Sequence, residues 1–410
     1  MKVLWFSVTP SLYSPHSNGH NGGGWIASLE QIVRQMDDVQ LGVAFNYESS
    51  DFKAEVDGVT YYPMPTLRSG LLKSLFCGSG TDGKLAHWLR VVEDFKPDII
   101  QIFGSENEFG LMIPLVNVPV VIHMQGCMPP CENASMPVGL SRWDFLTVPG
   151  LSLRERWMGW RTAPAFKATA EREIQVIQSC RFFMGRTEWD RNLVSLFNPA
   201  AKYYHCEEAL RDSFLQMKRR WQYQEREKIS IISVISRPWY KGQDLILKTA
   251  ALLKRFASID FEWNVYGVPS LRFFENKYGI KSESVNVNVR GTASKEQLVE
   301  ALCEASCYVH TSYIDNSPNS LCEAQLLGVP VLATNVGGIP SLVKHGETGI
   351  LYPANAPYDL AFAIVELCRN KKVCEQLSIL AQNTAVERHC PETIKIRLYE
   401  IYKQILNSRN

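Results

Sequence analysis

The sequence predicts an α/β protein with two Rossmann-like domains whose parallel sheets face each other across a cleft. Three observations predict this fold class. At 410 residues, the chain is too long for one ordinary hydrophobic core. Short apolar runs bounded by turn residues alternate with amphipathic stretches, which is the pattern of parallel strands with covering helices. This alternation occurs twice, on either side of the charge-rich span Arg211–Lys228.

The individual elements follow from the same patterns. In the first half we predict strands at Lys2–Val8, Gln40–Phe45, Asp98–Phe103, Val118–Met124 and Arg181–Met184, and helices at Trp25–Met36 and Lys84–Phe95. In the second half we predict strands at Ile229–Ser236, Phe261–Gly267, Val285–Arg290, Cys307–Ile314, Val329–Thr334 and Gly349–Tyr352, and helices at Gln243–Phe256, Ser294–Ala305, Pro318–Leu327 and Ala356–Cys368. We therefore expect an N-terminal domain over 1–205 and a C-terminal domain over 206–385. A last helix within 386–410 is expected to pack back toward the N-terminal domain.

Composition excludes several classes of protein. Lys plus Arg (43) balance Asp plus Glu (42), which argues against a nucleic-acid binder. The eleven scattered cysteines fit reduced thiols in a cytoplasm. The apolar N-terminal run is too short for a signal peptide, and no run approaches a membrane span. Cys127 and Cys131 form a CxxxC with His123 nearby, but no second ligand pair follows at zinc-like spacing, so we expect no metal.

The stretch "DNSPNSLCEA" places two acids around a predicted helix start. Ser317 is a candidate N-cap, Pro318 suits the first helical position, and Gly328 suits the residue after the helix. Unpaired N–H groups at such a terminus favour phosphate. The spacing of Asp315 and Glu323 suits the two ends of one elongated ligand better than one metal ion. The alternative is that Asp315 caps the helix and Glu323 is solvated.

Charged and glycine-rich loops follow other strands. Arg237 and Lys241, in a strand-to-helix loop, can clamp a diphosphate, although loop cations are often only solvated. Gly337 and Gly338 permit close approach of backbone to a ligand, or form a simple tight turn. The glycines of "SNGHNGGGW" weakly match a dinucleotide fingerprint, but about 14 residues separate them from the first strand. A loop closing on a phosphate or a sugar fits these glycines better.

Two further segments of the first half carry candidate residues. His123 ends a predicted strand and so points toward the cleft. In "GRTEWDR", Thr187 is a candidate N-cap, and Arg186 faces the cleft.

A separate feature of the first half is the span 142–167, where tryptophans and phenylalanines are interleaved with arginines. It suits an anionic lipid interface or a lipid-diphosphate acceptor, or else ordinary packing with snorkelling arginines.

Taken together, these motifs resemble glycosyltransferase family 4, the retaining group 1 enzymes of GT-B fold. The resemblance is strongest over Ile229–Cys368, through "SRPWYKGQDLIL", "YIDNSPNSLCEAQLLGVPVLATNVGGIPSLV" and "GETGILYP". In the first domain it is carried by "GGGW", His123 and "GRTEWDR". Where this family usually has two glutamates separated by seven residues, the first acid here is Asp315. The shorter acid bears on the choice of donor sugar.

The resemblance implies a role for each candidate. The C-terminal domain would bind the nucleotide-sugar donor, and the N-terminal domain the acceptor. The implied catalytic residues are Arg237 and Lys241 on the diphosphate, Asp315 on the transferred sugar and His123 beside it. Glu323 would bind the ribose, and the remaining donor contacts would come from Asn319, Ser320, Gly337, Gly338, Gly23 and Gly24. Arg186 would lie on the acceptor side.

The implied reaction is retaining transfer of a sugar from a UDP- or GDP-linked donor to a hydroxyl of a saccharide or lipid-linked saccharide. No cofactor and no metal are expected, and polysaccharide or glycolipid assembly is the implied setting. The sequence leaves three alternatives: a nucleotide-sugar epimerase, a non-catalytic nucleotide-sugar-binding subunit, and a glycoside hydrolase using Asp315 and Glu323. We expect a cytoplasmic protein, with peripheral contact to the inner membrane face through 142–167 as an open point.

Overall fold

Two β-sheets organise the molecule, and they confirm the predicted fold class. The computed structural model describes residues 1–13, 24–47, 52–64 and 81–408. The N-terminal sheet has the strand order β3-β4-β2-β1-β5-β6-β7-β8, with β3 antiparallel to β4 and its other pairs parallel. Its strands are β1 Lys2–Ser7, β2 Gln40–Asn46, β3 Ala54–Val56, β4 Val59–Met64, β5 Ile99–Phe103, β6 Val120–His123, β7 Phe182–Gly185 and β8 Lys202–His205.

The C-terminal sheet is parallel throughout, in the order β11-β10-β9-β12-β13-β14. Its strands are β9 Lys228–Val234, β10 Asp260–Tyr266, β11 Val287–Gly291, β12 Cys307–His310, β13 Val331–Thr334 and β14 Ile350–Tyr352. Every strand predicted for this half is present with shifted ends. The largest shift is in β12, which ends at His310 rather than Ile314. Beyond His310, the Ser312 carbonyl accepts a hydrogen bond from the Thr334 side chain, so the chain leaves the sheet as a loop.

Helices connect the strands. The α-helices are α1 Gly24–Val33, α2 Thr81–Phe95, α3 Met128–Asn133, α4 Asp144–Thr147, α5 Leu153–Ser179, α6 Glu188–Phe197, α7 Asp212–Leu215, α8 Gln243–Phe256, α9 Arg272–Tyr278, α10 Lys295–Glu304, α11 Asn319–Leu327, α12 Ile339–Leu342, α13 Pro357–Arg369, α14 Lys371–Arg388 and α15 Pro391–Asn407. Short 3₁₀ helices lie at Glu108–Leu115, Trp239–Lys241 and Glu283–Val285. None of the helices in these described ranges is long and apolar enough to cross a membrane.

The apolar side chains explain this layering. Successive residues of β1 alternate between two hydrophobic clusters, with Val3 and Trp5 in one and Leu4 and Phe6 in the other. Because strand side chains point alternately to opposite faces, the N-terminal sheet is covered on both sides. A third cluster fills the C-terminal domain. The long helix α5 was not predicted as such, because its aromatic and arginine residues give no clean helical periodicity.

The last helix joins the N-terminal core. Its side chains at Leu398, Ile401 and Ile405 are buried in the same cluster as Trp5. The Tyr402 hydroxyl accepts a hydrogen bond from the indole of Trp5 at 3.1 Å. The C-terminal end of the chain is thereby fixed to the first strand of the N-terminal domain.

Candidate active site

The loop after β12 carries a compact polar cluster at the carboxyl end of the C-terminal sheet. The ammonium of Lys241 lies 2.6 Å from Oδ2 of Asp315. The same oxygen lies 3.1 Å from Nε2 of His310 and accepts a hydrogen bond from the Ser312 hydroxyl at 3.1 Å. Burial alone would raise the pKa of Asp315, but the Lys241 and His310 side chains outweigh it and hold that pKa well below its usual range. Asp315 is therefore a fixed negative charge.

Glu323 has a different environment, one turn inside α11. Its side chain is buried, and Oε1 accepts a hydrogen bond from Nε of Arg211 at 2.8 Å. Burial raises the pKa of Glu323 to about 7, although the Arg211 guanidinium opposes the shift. Arg211 also packs against the start of α1, because a methyl group placed on Gly24 would lie 3.2 Å from its side chain. Glu323 is thus paired with a cation that borders the N-terminal domain.

The start of α11 differs by one residue from the sequence prediction. Pro318 is the N-cap and the helix begins at Asn319, so the prediction of Ser317 as N-cap is wrong. The Ser317 hydroxyl instead donates to Oε1 of Glu208 at 3.2 Å. Glu208 in turn lies 2.9 Å from the guanidinium of Arg186. The side chain that normally caps a helix is used here to join the two domains.

Asn316 connects the two domains through three hydrogen bonds. Its amide oxygen accepts a hydrogen bond from the Thr187 hydroxyl at 2.6 Å, and its amide nitrogen donates to Asp190 at 3.1 Å and to the carbonyl of Gln125 at 3.2 Å. Thr187 also accepts from the Asp190 backbone at 3.2 Å, which confirms it as the N-cap of α6. The "GRTEWDR" segment therefore holds the loop that carries Asp315.

Gly337 and Gly338 lie under this same loop. Gly337 has φ 54°, and a methyl group there would lie 2.0 Å from the carbonyl oxygen of Asp315. The Gly338 nitrogen donates to that carbonyl at 2.9 Å, and a methyl group at Gly338 would meet the carbonyl of Asn316 at 2.4 Å. Close contact between protein backbones accounts for both glycines. Their contact with a nucleotide stays a prediction.

His123 and Arg186 lie together in the N-terminal domain. Both are buried, at the carboxyl ends of β6 and β7. The ring of His123 packs between Trp25 and Phe103, and burial holds its pKa well below the ordinary value, so the imidazole is neutral. Arg186 stacks over Trp25 at 5.0 Å. His123 Nε2 and Arg186 Nε and Nη1 have no hydrogen-bond partner among the described residues.

The remaining predicted residues are dispersed. Arg237 is exposed, and the structure does not bring its guanidinium into the Asp315 cluster. The Ser320 hydroxyl lies 2.8 Å from that of Tyr308, and Asn319 is partly exposed at the helix start. Gly24 begins α1, whereas Gly23 lies outside the described residues.

Sequence reasoning missed four polar residues of this region, namely Arg211, Glu208, His310 and Asn316. His310 was accessible in principle, because it lies within the predicted strand Cys307–Ile314 and five residues before Asp315. Arg211 lies in a span that reads only as polar linker, and nothing in its spacing points to Glu323. Within the described ranges, no group of three or more His, Cys, Asp or Glu residues forms a metal site, and Cys127 is buried.

Comparison with known proteins finds a family match in the C-terminal half. The family described as glycosyl transferases group 1 matches residues 216–384. D-inositol 3-phosphate glycosyltransferase of Paenarthrobacter aurescens is 29% identical over 41% of this chain and 42% of that protein. N-acetyl-alpha-D-glucosaminyl L-malate synthase of Bacillus anthracis is 24% identical over 47% of this chain and 49% of that protein. The chain spans less than half the length of these two relatives.

Solved structures are similar over nearly the whole chain. Sucrose-phosphate synthase from Thermosynechococcus elongatus superposes with a TM-score of 0.72 over 99% of both chains, at 13% identity. Anabaena Alr3699/HepE, solved in complex with UDP and glucose, gives a TM-score of 0.66 over 98% of this chain and 100% of that one, at 14% identity. These likenesses show the fold. The protein thus has the two-domain GT-B fold, and residues 216–384 of its C-terminal half match the family of group 1 glycosyl transferases.

Proposed function

We propose that this protein is a retaining glycosyltransferase that moves a hexose from a UDP- or GDP-linked donor to an acceptor hydroxyl. The observation that carries the proposal is the Asp315–Lys241 pair beside the start of α11, inside the segment matched by the group 1 family. A buried acid, a fixed cation and a helix N-terminus within one loop region suit a sugar joined to a diphosphate. A relative similar over 41% of this chain is itself named D-inositol 3-phosphate glycosyltransferase.

In the proposed reaction, positive charge stabilises the departing diphosphate. Lys241 is held at the cleft by Asp315, and the N–H groups at the start of α11 add roughly half a positive charge. Arg237, exposed on the loop that also carries Lys241, is the second cation proposed for the diphosphate. The acceptor oxygen attacks the anomeric carbon, and its proton passes to the departing phosphate on the same face. No metal ion enters this step, and no protein nucleophile is required.

The first test is donor binding followed by turnover. Thermal shifts are measured for the full chain with UDP-, GDP- and other nucleotide sugars, and released nucleotide is then assayed with and without saccharide acceptors. We expect one donor class to raise the melting temperature and acceptor-dependent release to follow. Conversion of the donor without an acceptor would indicate an epimerase, and binding without turnover a non-catalytic subunit. If no nucleotide sugar stabilises the protein, the proposed function is wrong.

Two variants test the diphosphate site. Lys241→Ala and Arg237→Ala are each expected to lower turnover by about 10²–10³-fold, the usual loss when one electrostatic contact to the transition state is removed. Circular dichroism and melting temperature show whether the fold survives. Near-normal turnover in Arg237→Ala would indicate that this exposed side chain stays in solvent throughout the reaction.

We further propose that the segment 142–167 contacts an anionic membrane surface, consistent with a glycolipid or polysaccharide pathway. Part of it is ordinary core, because Phe145 is buried and stacks on Phe273 of the C-terminal domain. Other large apolar side chains project outward: Leu153 is 87% exposed and Trp143 66%. Exposed arginines beside them, including Arg161 over the ring of Trp157, complement negatively charged headgroups.

Vesicle binding tests this surface. Wild-type protein is expected to sediment with vesicles that contain phosphatidylglycerol and to stay in solution with phosphatidylcholine alone. Leu153→Ser combined with Trp143→Ser is expected to lower binding at least about tenfold, because each removes a large exposed apolar group. The matched control is Leu196→Ser, which changes a residue 70% exposed on another helix. Equal binding by all variants would overturn the membrane contact.

A further inference from the structure

A cavity of about 420 Å³ opens at the carboxyl edge of the N-terminal sheet. It is lined by residues that end or follow four of its strands: Val8 after β1, Asn46 of β2, Met64 of β4, and the segment from Glu106 to Phe109 after β5. The beginning of α2 and Arg172 of α5 complete the wall. In a parallel sheet, ligands bind at this edge. None of the catalytic or binding residues predicted from sequence lines the cavity.

The wall of the cavity carries three unpaired polar atoms. Oε2 of Glu106, Nε of Arg172 and Nε2 of His87 are buried and have no hydrogen-bond partner among the described residues. Buried polar atoms are normally paired, so three around one cavity indicate a ligand that both donates and accepts. A hydroxyl group does both. The buried rings of Trp88 and Phe109 supply apolar surface beside them.

The charges in the cavity argue against a phosphate ligand. Lys84 lies 2.7 Å from one oxygen of Glu108, and Arg172 lies 3.6 Å from the other. Lys84 and Arg172 therefore share one carboxylate, and an ionised Glu106 brings the formal charge of these four side chains to zero. A phosphate would meet two acids and no excess of positive charge among the described lining residues. A neutral molecule rich in hydroxyl groups meets the wall without this conflict.

The acidity of Glu106 also differs from that of a solvated carboxyl group. Burial raises the pKa of Glu106 to about 7, and the carboxylate of Glu173 adds to the shift. Above that pH, Glu106 is a carboxylate and accepts hydrogen bonds.

We propose that this cavity binds the acceptor as a neutral sugar residue, and that Glu106 holds it by accepting a hydrogen bond from one of its hydroxyls. The identification of the bound sugar as the acceptor rests on the proposed function, whereas sugar binding itself rests on the cavity alone. It moves the acceptor site away from Arg186, which is engaged with Glu208 between the domains. Glu106 is thus a specificity-determining residue, and His87 and Arg172 supply further hydrogen-bonding groups to the same sugar.

Saturation-transfer NMR on the full chain tests the proposal. The probes are a panel of methyl glycopyranosides and the matched sugar 6-phosphates. We expect at least one neutral glycoside to bind wild-type protein at pH 8, where Glu106 is ionised, and Glu106→Gln to weaken it about tenfold through loss of a charged hydrogen-bond acceptor. Glu93→Gln makes the same change on the exposed side of α2 and is expected to bind normally. Val8→Trp, which fills the cavity from its exposed rim, is expected to abolish binding.

Three outcomes would overturn the proposal: no glycoside binds, only the sugar phosphates bind, or Glu106→Gln and Val8→Trp both bind as wild type does. Nucleotide-sugar binding is measured on the same samples by thermal shift. If the donor binds and the glycosides do not, the cavity inference fails and the proposed function stands. If glycosides bind and no donor does, sugar binding in the cavity stands and the proposed function fails.

Discussion

Asp315 and Glu323 are separated by seven residues around the start of one helix, but their surroundings give them opposite acidity. Asp315 shares one oxygen among an ammonium, an imidazole and a hydroxyl, and its pKa lies well below the usual range. Glu323 has one cation, Arg211, and burial raises its pKa to about 7. Both carboxyl groups are largely buried. The number and kind of partners, rather than depth, distinguish them.

This difference indicates a division of work between the two ends of the donor. A permanently ionised acid that holds Lys241 keeps positive charge at the place where the diphosphate departs. An acid that titrates near neutrality is poorly suited to that role, but as a carboxylate it accepts hydrogen bonds from a ribose diol. We therefore expect changes at Asp315 to affect turnover and changes at Glu323 to affect donor affinity.

The largest effect is expected from Asp315→Asn. The variant leaves Lys241 without its carboxylate, so the ammonium loses its fixed position, and turnover at saturating donor should fall by about 10²–10³-fold. Released nucleotide measures this rate. Asp260→Asn, an exposed acid at the start of β10, is the matched control and should behave as wild type. A loss confined to the donor KM, with kcat intact, would contradict the division of work.

A smaller effect, on a different constant, is expected from Glu323→Gln. The amide keeps the shape but loses the ionised acceptor, so donor affinity should fall about tenfold while kcat at saturation changes little. Isothermal titration with the intact nucleotide sugar measures the affinity directly. If kcat falls as far as in Asp315→Asn, the two acids act as one catalytic unit and the comparison between them fails.

Donor affinity of the wild-type protein should also depend on pH. The folded pKa of Glu323 is about 7, so below that pH the free protein must release a proton to present a carboxylate. We expect binding to be roughly tenfold weaker at pH 6 than at pH 8. Burial also raises the pKa of the neighbouring Glu208, so the assignment depends on Glu323→Gln, which should remove the pH dependence. A nucleotide sugar is preferred to a free nucleotide, whose terminal phosphate titrates in the same range.

The donor half was the more predictable part of the molecule. Strands of the C-terminal domain are short apolar runs between turn residues, and the acids, Lys241 and the paired glycines follow them in sequence order. Local signals of this kind can be recognised in a single sequence. Such signals do not predict which side chains contact one another. The contact between Asp315 and Lys241 forms because two loops that follow different strands meet in the fold.

Contacts between the domains were beyond sequence reasoning for the same reason. Asn316 is held by Thr187 and Asp190, more than a hundred positions earlier, and Ser317 turns from the expected cap to Glu208. Gly337 and Gly338 were identified from their residue type, but the neighbour that requires them is the backbone of the Asp315 loop. The cavity beside Glu106 left no pattern, because its wall comes from four strands.

The smallest expected effect is on stability, where the two acids should respond to pH in opposite directions. Asp315 has a folded pKa below its unfolded value, so its charge stabilises the fold above about pH 4, and this contribution is lost as the pH falls further. Glu323 has a folded pKa above its unfolded value, so its ionisation costs stability as the pH rises from about 4.5 to about 7, and that cost persists above.

Asp315→Asn should therefore lower the melting temperature at pH 8, and less so toward pH 4. Glu323→Gln imitates the protonated acid, so its melting temperature relative to wild type should rise between pH 4.5 and pH 8. Differential scanning fluorimetry of both variants without ligand provides the measurement. Parallel pH profiles for the two variants would mean that the wild-type carboxyl groups of Asp315 and Glu323 have equivalent surroundings. That result would contradict the separate ion pairs that they form with Lys241 and Arg211.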